Sequence, residues 1–172
     1  ILKKSIAEER IISRMIERRG GTLFLCDVDH MKRINEQYGH QMGDECLKRV
    51  AQILSYMIGS NDILGRCGGD EFVILCKNVG RGDLEHRTEQ VRRRTEEAGF
   101  FLSTGLEWRE SALDIEDVIQ KAERAMQENK RGFYSSKGGE RQKRELNQYM
   151  ERLISEKKDA DRFLSILAPV FE

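Results

Sequence analysis

The 172-residue chain has a single proline, Pro169, three residues from its end, so nothing inside it is a rigid proline-rich linker. It has four cysteines, Cys26, Cys46, Cys67 and Cys76. No two stand in C-x-x-C spacing, which argues against a zinc ribbon, and four scattered thiols do not make a disulfide framework. Most lie in apolar runs and read as buried reduced thiols. No apolar stretch approaches the ~18 residues of a membrane span, and no secretory leader is visible. The charge balance has no excess: 30 basic residues cancel 30 acidic ones, so no global positive field points to nucleic acid. G-x-x-x-x-G-K-[ST], the phosphate loop of many nucleotide-binding enzymes, is missing as well. What is left is a soluble domain with a modest extension, cytoplasmic by default. Beginning at Ile1 without a Met, it is expected to be a piece of a longer chain.

What is present is patterned. Residues 1–19 read as a charged helix with Leu2, Ile6, Ile12, Met15 and Ile16 on one side, stopped by Gly20-Gly21. Residues 22–26 are apolar on both alternating faces, as in a strand covered above and below, and they run into Asp27-Val28-Asp29. Asp29 is placed to cap a short helix over 30–38 that Gly39 closes. A second helix from about Asp44 carries Leu47, Val50, Ala51, Leu54, Met57 and Ile58 at helical spacing. Two strand-like runs then flank Gly68-Gly69, a pair that suits a tight type I′ hairpin because both central residues need positive φ. A polar helix over 83–98, a strand over 100–106 and a helix over 114–131 follow. This order predicts an α/β fold with a mixed central sheet and helices on both faces. Three segments result: 1–21 as a leading helix, 22–134 as the domain, and 135–172 as a helical connector toward a further domain. The alternative for the last is a helix docked back on the core.

The chemistry gathers at strand ends. Asp27 closes one apolar run, and Asp70-Glu71 open another. If the two strands are antiparallel neighbours, Asp27 and Asp70 converge, with Glu71 alongside on the other side of the pleat. Paired carboxylates repel unless a cation lies between them. Magnesium takes one or two carboxylates plus phosphate oxygens, and the Val28 carbonyl can add to the set. The duller reading is two solvated acids at sheet ends. Lys32 and Asn35 are three apart on the short helix and share a face. Asn35 and Asp44 flank the "YGHQMG" stretch. A carboxylate accepts from the N1–H and amine of guanine while an amide both donates and accepts, so the pair can read guanine or can simply cap helices. Lys32 is either a phosphate contact or a surface charge, and His40 either lines the site or is a turn residue.

"DVDHMKRINEQYGHQMGDE" followed by "GRCGGDEFVIL" resembles the GGDEF family of diguanylate cyclases, with "STG" at 103–105 and "AERAMQENK" at 122–130 continuing the likeness. The resemblance implies a fold like that of nucleotidyl cyclases and polymerase palms. It implies condensation of two GTP into cyclic di-GMP, with two pyrophosphates released, across a homodimer of GTP-loaded domains in bacterial signal transduction. It also implies Mg2+, or Mn2+, held by Asp27, the Val28 carbonyl and Asp70. By the same resemblance Asn35 and Asp44 read guanine with His40 nearby, Lys32 and Lys130 hold phosphates, and Gly68 and Gly69 let the hairpin backbone approach them. Glu71 is then the neighbouring catalytic acid, and either Asp70 or Glu71 takes the 3′-hydroxyl proton.

The pattern departs from the family in four places. A D-x-L-T-G-L-x-N-R opening is missing before Thr22. Cys67 replaces an aromatic. Tyr134 stands where an Arg follows Lys130, leaving Arg131 as its substitute. In the R-x-x-D product-inhibition motif, Gly59 replaces the Arg while Asp62 is kept. The other readings are a GTP-binding regulatory module without turnover and a structural, dimerising domain.

Overall fold

A computed structural model describes residues 21–60, 62–76, 79–109, 115–134 and 138–167. The helix expected over 1–19 lies outside the described residues, as do the last residues of the chain, 168–172. In chain order the elements are β1 (Gly21–Val28), α1 (Met31–Tyr38), α2 (His40–Met57), β2 (Ile63–Arg66), β3 (Glu71–Cys76), α3 (Arg81–Glu97), β4 (Leu102–Arg109), α4 (Ile115–Tyr134) and α5 (Gly138–Leu167). The four strands form one sheet in the order β2-β3-β1-β4, and all three pairings are antiparallel.

The apolar run Phe72 to Cys76 is buried throughout because β3 is central and covered on both faces. Alternation sends Phe72, Ile74 and Cys76 into a large cluster with Val28, Met31, Ile34, Leu47, Val50, Leu54, Leu84 and Val91. Val73 and Leu75 face the other way, against Val118, Ala122 and Met126 of α4. Helices therefore cover both sides, as the element order predicts. Each fully buried side chain of this kind contributes about 1.5–3 kcal/mol. α3 is charged nearly all round, yet Leu84, Val91 and Thr95 share a narrow buried stripe that holds it to the sheet.

Three local readings are corrected. Asp29 does not cap α1: its carboxylate accepts from the Ser103 hydroxyl at 2.7 Å, and His30 takes the cap position, its side chain making no capping hydrogen bond to the helix. α2 begins at His40, not near Asp44, so only Gly39 separates the two helices and Asp44 lies inside α2. The hairpin is not a two-residue type I′ turn. Its loop runs from Cys67 to Asp70, closed by the Cys67 N–H donating to the Glu71 carbonyl at 2.9 Å, and neither Gly68 nor Gly69 has positive φ. At Gly68 a Cβ would stand 2.5 Å from Glu71 Oε2, so a side chain there would push the Glu71 carboxylate aside.

α5 packs on the domain. Leu146, Met150 and Leu153 join the large core cluster, and the Tyr149 ring meets Phe100 edge-on with centroids 4.9 Å apart. This is the docked arrangement that the sequence leaves as the alternative to a connector.

Candidate active site

β1 and β3 carry acids to one end of the sheet because their apolar runs are of matching length and must be buried in register. The pairing Cys26↔Phe72 and Asp27↔Glu71 follows. Directly opposed residues share a face, so the expectation that Glu71 lies on the other side of the pleat is corrected: the register puts it opposite Asp27, on the same side of the sheet. Asp70 comes in through its backbone, its carbonyl accepting from the Val28 N–H at 2.9 Å. In an antiparallel ladder a residue presents its carbonyl on the same edge as its N–H, so the Val28 carbonyl faces the Asp70 side.

Asp27 is 6% exposed, and burial pushes its carboxyl above the ordinary range. A hydrogen bond and the charge of Lys130 pull it back, while the charge of Asp70 adds to the rise. Lys130, on α4, places its Nζ 2.7 Å from Asp27 Oδ1. Burial works against its charge, but Asp27, then Asp29 and Asp70, hold the ammonium above its usual pKa. One cation thus stands among three carboxylates. Among the described residues no cluster of three or more His, Cys, Asp or Glu side chains is set to hold a metal ion by itself. Two carboxylates and a carbonyl are nevertheless hard oxygen donors of the kind Mg2+ and Mn2+ take, with oxygens of a bound phosphate completing the set.

Beside this end opens a cleft of about 570 Å³. Lys32 and Asn35 of α1, His40 and Asp44 of α2, and Gly69 and Asp70 of the hairpin line it. The cleft collects six of the residues singled out from sequence. Asp27, Val28, Gly68, Glu71 and Lys130 are not among its lining residues; they belong to the adjoining strand ends and α4. Asn35 is held where α1 and α2 come closest. Gly43 allows this, because a Cβ there would lie 1.9 Å from Asn35 Oδ1. Arg131 is exposed, and as Lys130's neighbour it points about 100° away around the helix.

Arg66 went unnoticed in the sequence. Its guanidinium Nε donates to the carbonyls of Gly68 at 3.2 Å and Gly69 at 3.1 Å, bracing the loop, and its side chain lines the cleft. An arginine two residues before a Gly-Gly loop was the available signal. Met31 and Leu47 add an apolar wall to the cleft. His30, between the strand-end acids and α1, has left-handed φ of 67°. For a non-glycine residue this costs about 1–2 kcal/mol, so its surroundings must hold it there.

The sequence model described as "Diguanylate cyclase, GGDEF domain" matches residues 2–134. A diguanylate cyclase of Vibrio cholerae is 34% identical over 117 residues, covering 61% of this chain and 35% of that protein. The diguanylate cyclase DosC of Escherichia coli is 32% identical over 115 residues, covering 61% of this chain and 25% of the relative. The chain thus spans about a third or less of the length of these curated relatives. Among solved structures, the active GGEEF domain of a Vibrio cholerae diguanylate cyclase superposes with a TM-score of 0.62 at 29% identity, covering 74% of this chain and 85% of that one. A microbial GGDEF domain studied for its interaction with cyclic di-GMP gives 0.65 at 28%, covering 76% and 88%. With the sheet, the strand-end acids and the cleft in the arrangement described, the chain belongs to the GGDEF family, the diguanylate cyclase domain.

Proposed function

We propose that this domain condenses two GTP molecules into cyclic di-GMP and releases two pyrophosphates, as the names of its relatives indicate for them. The observation that carries the reading is the cleft in which Asn35 and Asp44 stand across from Asp70, next to the Asp27–Lys130 pair. Asn35 and Asp44 offer guanine an amide and a carboxylate, matching its donors and acceptors. Lys32 and Lys130 neutralise phosphates, with Arg66 a further cation at the cleft wall. Gly69 leaves the loop open, since a Cβ there would meet nothing within 4 Å. Asp27, Asp70 and the Val28 carbonyl would hold Mg2+ or Mn2+. The bound ion neutralises charge on the attacking and leaving oxygens of an in-line displacement. Asp70 and Glu71 are the candidates to take the proton of the 3′-hydroxyl.

The cleft holds one nucleotide, so two domains must face each other for each 3′-hydroxyl to attack the other's α-phosphorus. We therefore assign catalysis to a homodimer within a longer chain acting in the cytoplasm. No helix among the described residues is long and apolar enough to cross a membrane. Incubation with GTP and Mg2+, followed by chromatographic detection of cyclic di-GMP, tests the reading. Product that disappears in Asp70→Ala supports it, and its absence at high protein concentration overturns it.

One observation favours a second reading, a module that binds GTP without turnover. Lys130, assigned to phosphates by resemblance, is bonded to Asp27 instead. GTP binding without product would select that reading.

A further inference from the structure

The long helix α5 begins at Gly138, after the family-matched segment ends at residue 134, yet it touches both helices that line the cleft. Its Asn147 Oδ1 accepts from Arg33 of α1 at 3.2 Å, one residue from Lys32. Its Tyr149 hydroxyl accepts from Arg49 of α2 at 3.3 Å, and Met150 Sδ lies 3.7 Å from Cys46 Sγ on the same helix. Gln142, 5% exposed, abuts the ring of His30, the strained residue that joins the strand-end acids to α1.

The contact is built into the domain and is not a chance lie of the helix. Gly99 has φ of 81°, and a Cβ there would stand 2.4 Å from Tyr149 Cγ. Gly99 ends α3 in left-handed backbone, its N–H donating to the Glu96 carbonyl at 2.9 Å, and the same bare position leaves room for the Tyr149 ring. The same ring packs edge-on against Phe100, 1% exposed. Three buried side chains, Leu146, Met150 and Leu153, sit one helical repeat after another along one stripe.

We propose that α5 supplies positioning residues to the site. Gln142 holds the β1–α1 turn through His30, Asn147 holds α1 through Arg33, and Tyr149 and Met150 hold α2. The seated helix sets Lys32 and Asn35 against Asp44 and the strand-end acids. Lifting it lets α1 swing, so guanine binding weakens before the fold is lost. A residue in left-handed conformation stays there only where neighbours over-determine it, and Gln142 is the α5 neighbour that does so. The consequence for nucleotide rests on the activity proposed above, whereas the bracing of α1 does not.

The test uses the full chain and Gln142→Met, which keeps volume and removes the amide. In ligand-free protein, the amide of Ile34, bonded to the His30 carbonyl at 3.0 Å, is expected to exchange at least about fivefold faster. The amide of Leu84 in α3, bonded to Gly80 at 3.0 Å, should not change. KM for GTP should rise about fivefold to tenfold with kcat within about twofold. In a His30→Gly background, where the left-handed turn is free and the ring is gone, Gln142→Met should add nothing. Unchanged exchange at Ile34, or equal acceleration at Ile34 and Leu84, overturns the proposal. If Gln142→Met does not fold, Asn147→Ala, at the half-buried contact with Arg33, is judged by the same two amides. A parent chain that makes no cyclic di-GMP would sink the proposed activity, and the exchange comparison would still decide the brace.

Discussion

Lys130 Nζ lies 2.7 Å from Asp27 Oδ1, and the carboxylate is buried while the ammonium reaches the surface. The pair joins α4 to the end of β1 and occupies the place where the proposed metal would share Asp27. Removing the lysine leaves a buried acid without its cation. Because burial already raises Asp27, its ionised form weighs against the folded state, and that cost appears as pH rises through the folded pKa. Lys130→Met should therefore match the parent near pH 4 and lose about 1–3 kcal/mol toward pH 7–8, partial exposure of the lysine limiting the loss. Urea denaturation across pH checks this, and added Mg2+ should recover part of the loss.

Asp27→Asn and Asp70→Ala should abolish cyclic di-GMP formation while the chain stays folded, because each removes an oxygen donor at a strand end and not a core side chain. Activity and circular dichroism measured on one preparation test it. A rate above about a tenth of the parent with unchanged Mg2+ dependence would refute the metal assignment.

Gly43→Ala should act on Asn35. The new Cβ would lie 1.9 Å from Asn35 Oδ1, so the amide must leave its place. Overpacking of this kind costs about 1–3 kcal/mol, and the displaced amide should raise KM for GTP about tenfold. Guanine selectivity against ATP reports it directly: a variant as selective as the parent would remove Asn35 from base reading.

If, as proposed, each cleft serves one nucleotide, specific activity should rise with protein concentration until dimers saturate. Strict proportionality from nanomolar to high micromolar, with monomers seen by sedimentation, would rule out the two-domain mechanism.

Cyclic di-GMP should bind weakly at the R-x-x-D position. Gly59 offers no guanidinium, and Asp62 is occupied: Arg87 donates to its Oδ2 at 3.0 Å and the Gly59 N–H at 2.8 Å. Loss of one or two charged hydrogen bonds, each worth about 1.5–3 kcal/mol, predicts affinity lower by at least about tenfold than a site that keeps them. Calorimetry should show no tight binding by the parent and some gain in Gly59→Arg. Tight parental binding undiminished by Asp62→Ala would reveal another site.

Much of this architecture was legible because its signals are local. A five-residue apolar run suits a strand covered on both faces, and β3 is one. The stripe through Leu47, Val50 and Leu54 forces α2 to bury one face. The acids at the ends of two such strands had to meet once the strands paired. Less legible were the junction at Gly39, where helix resumes at His40, and the hairpin, where neither glycine takes left-handed backbone.

The sequence alone determined the α/β class and the gathering of acids at one end of the sheet, because periodicity and motif spacing are properties of neighbours along the chain. Tertiary structure decided that Glu71 stands opposite Asp27, that Lys130 neutralises Asp27, that Arg66 braces the loop, and that α5 returns to seat Tyr149 on Gly99. These joins link residues up to about a hundred positions apart. Burial free energy selects them only when whole faces close on one another, and no local pattern encodes that.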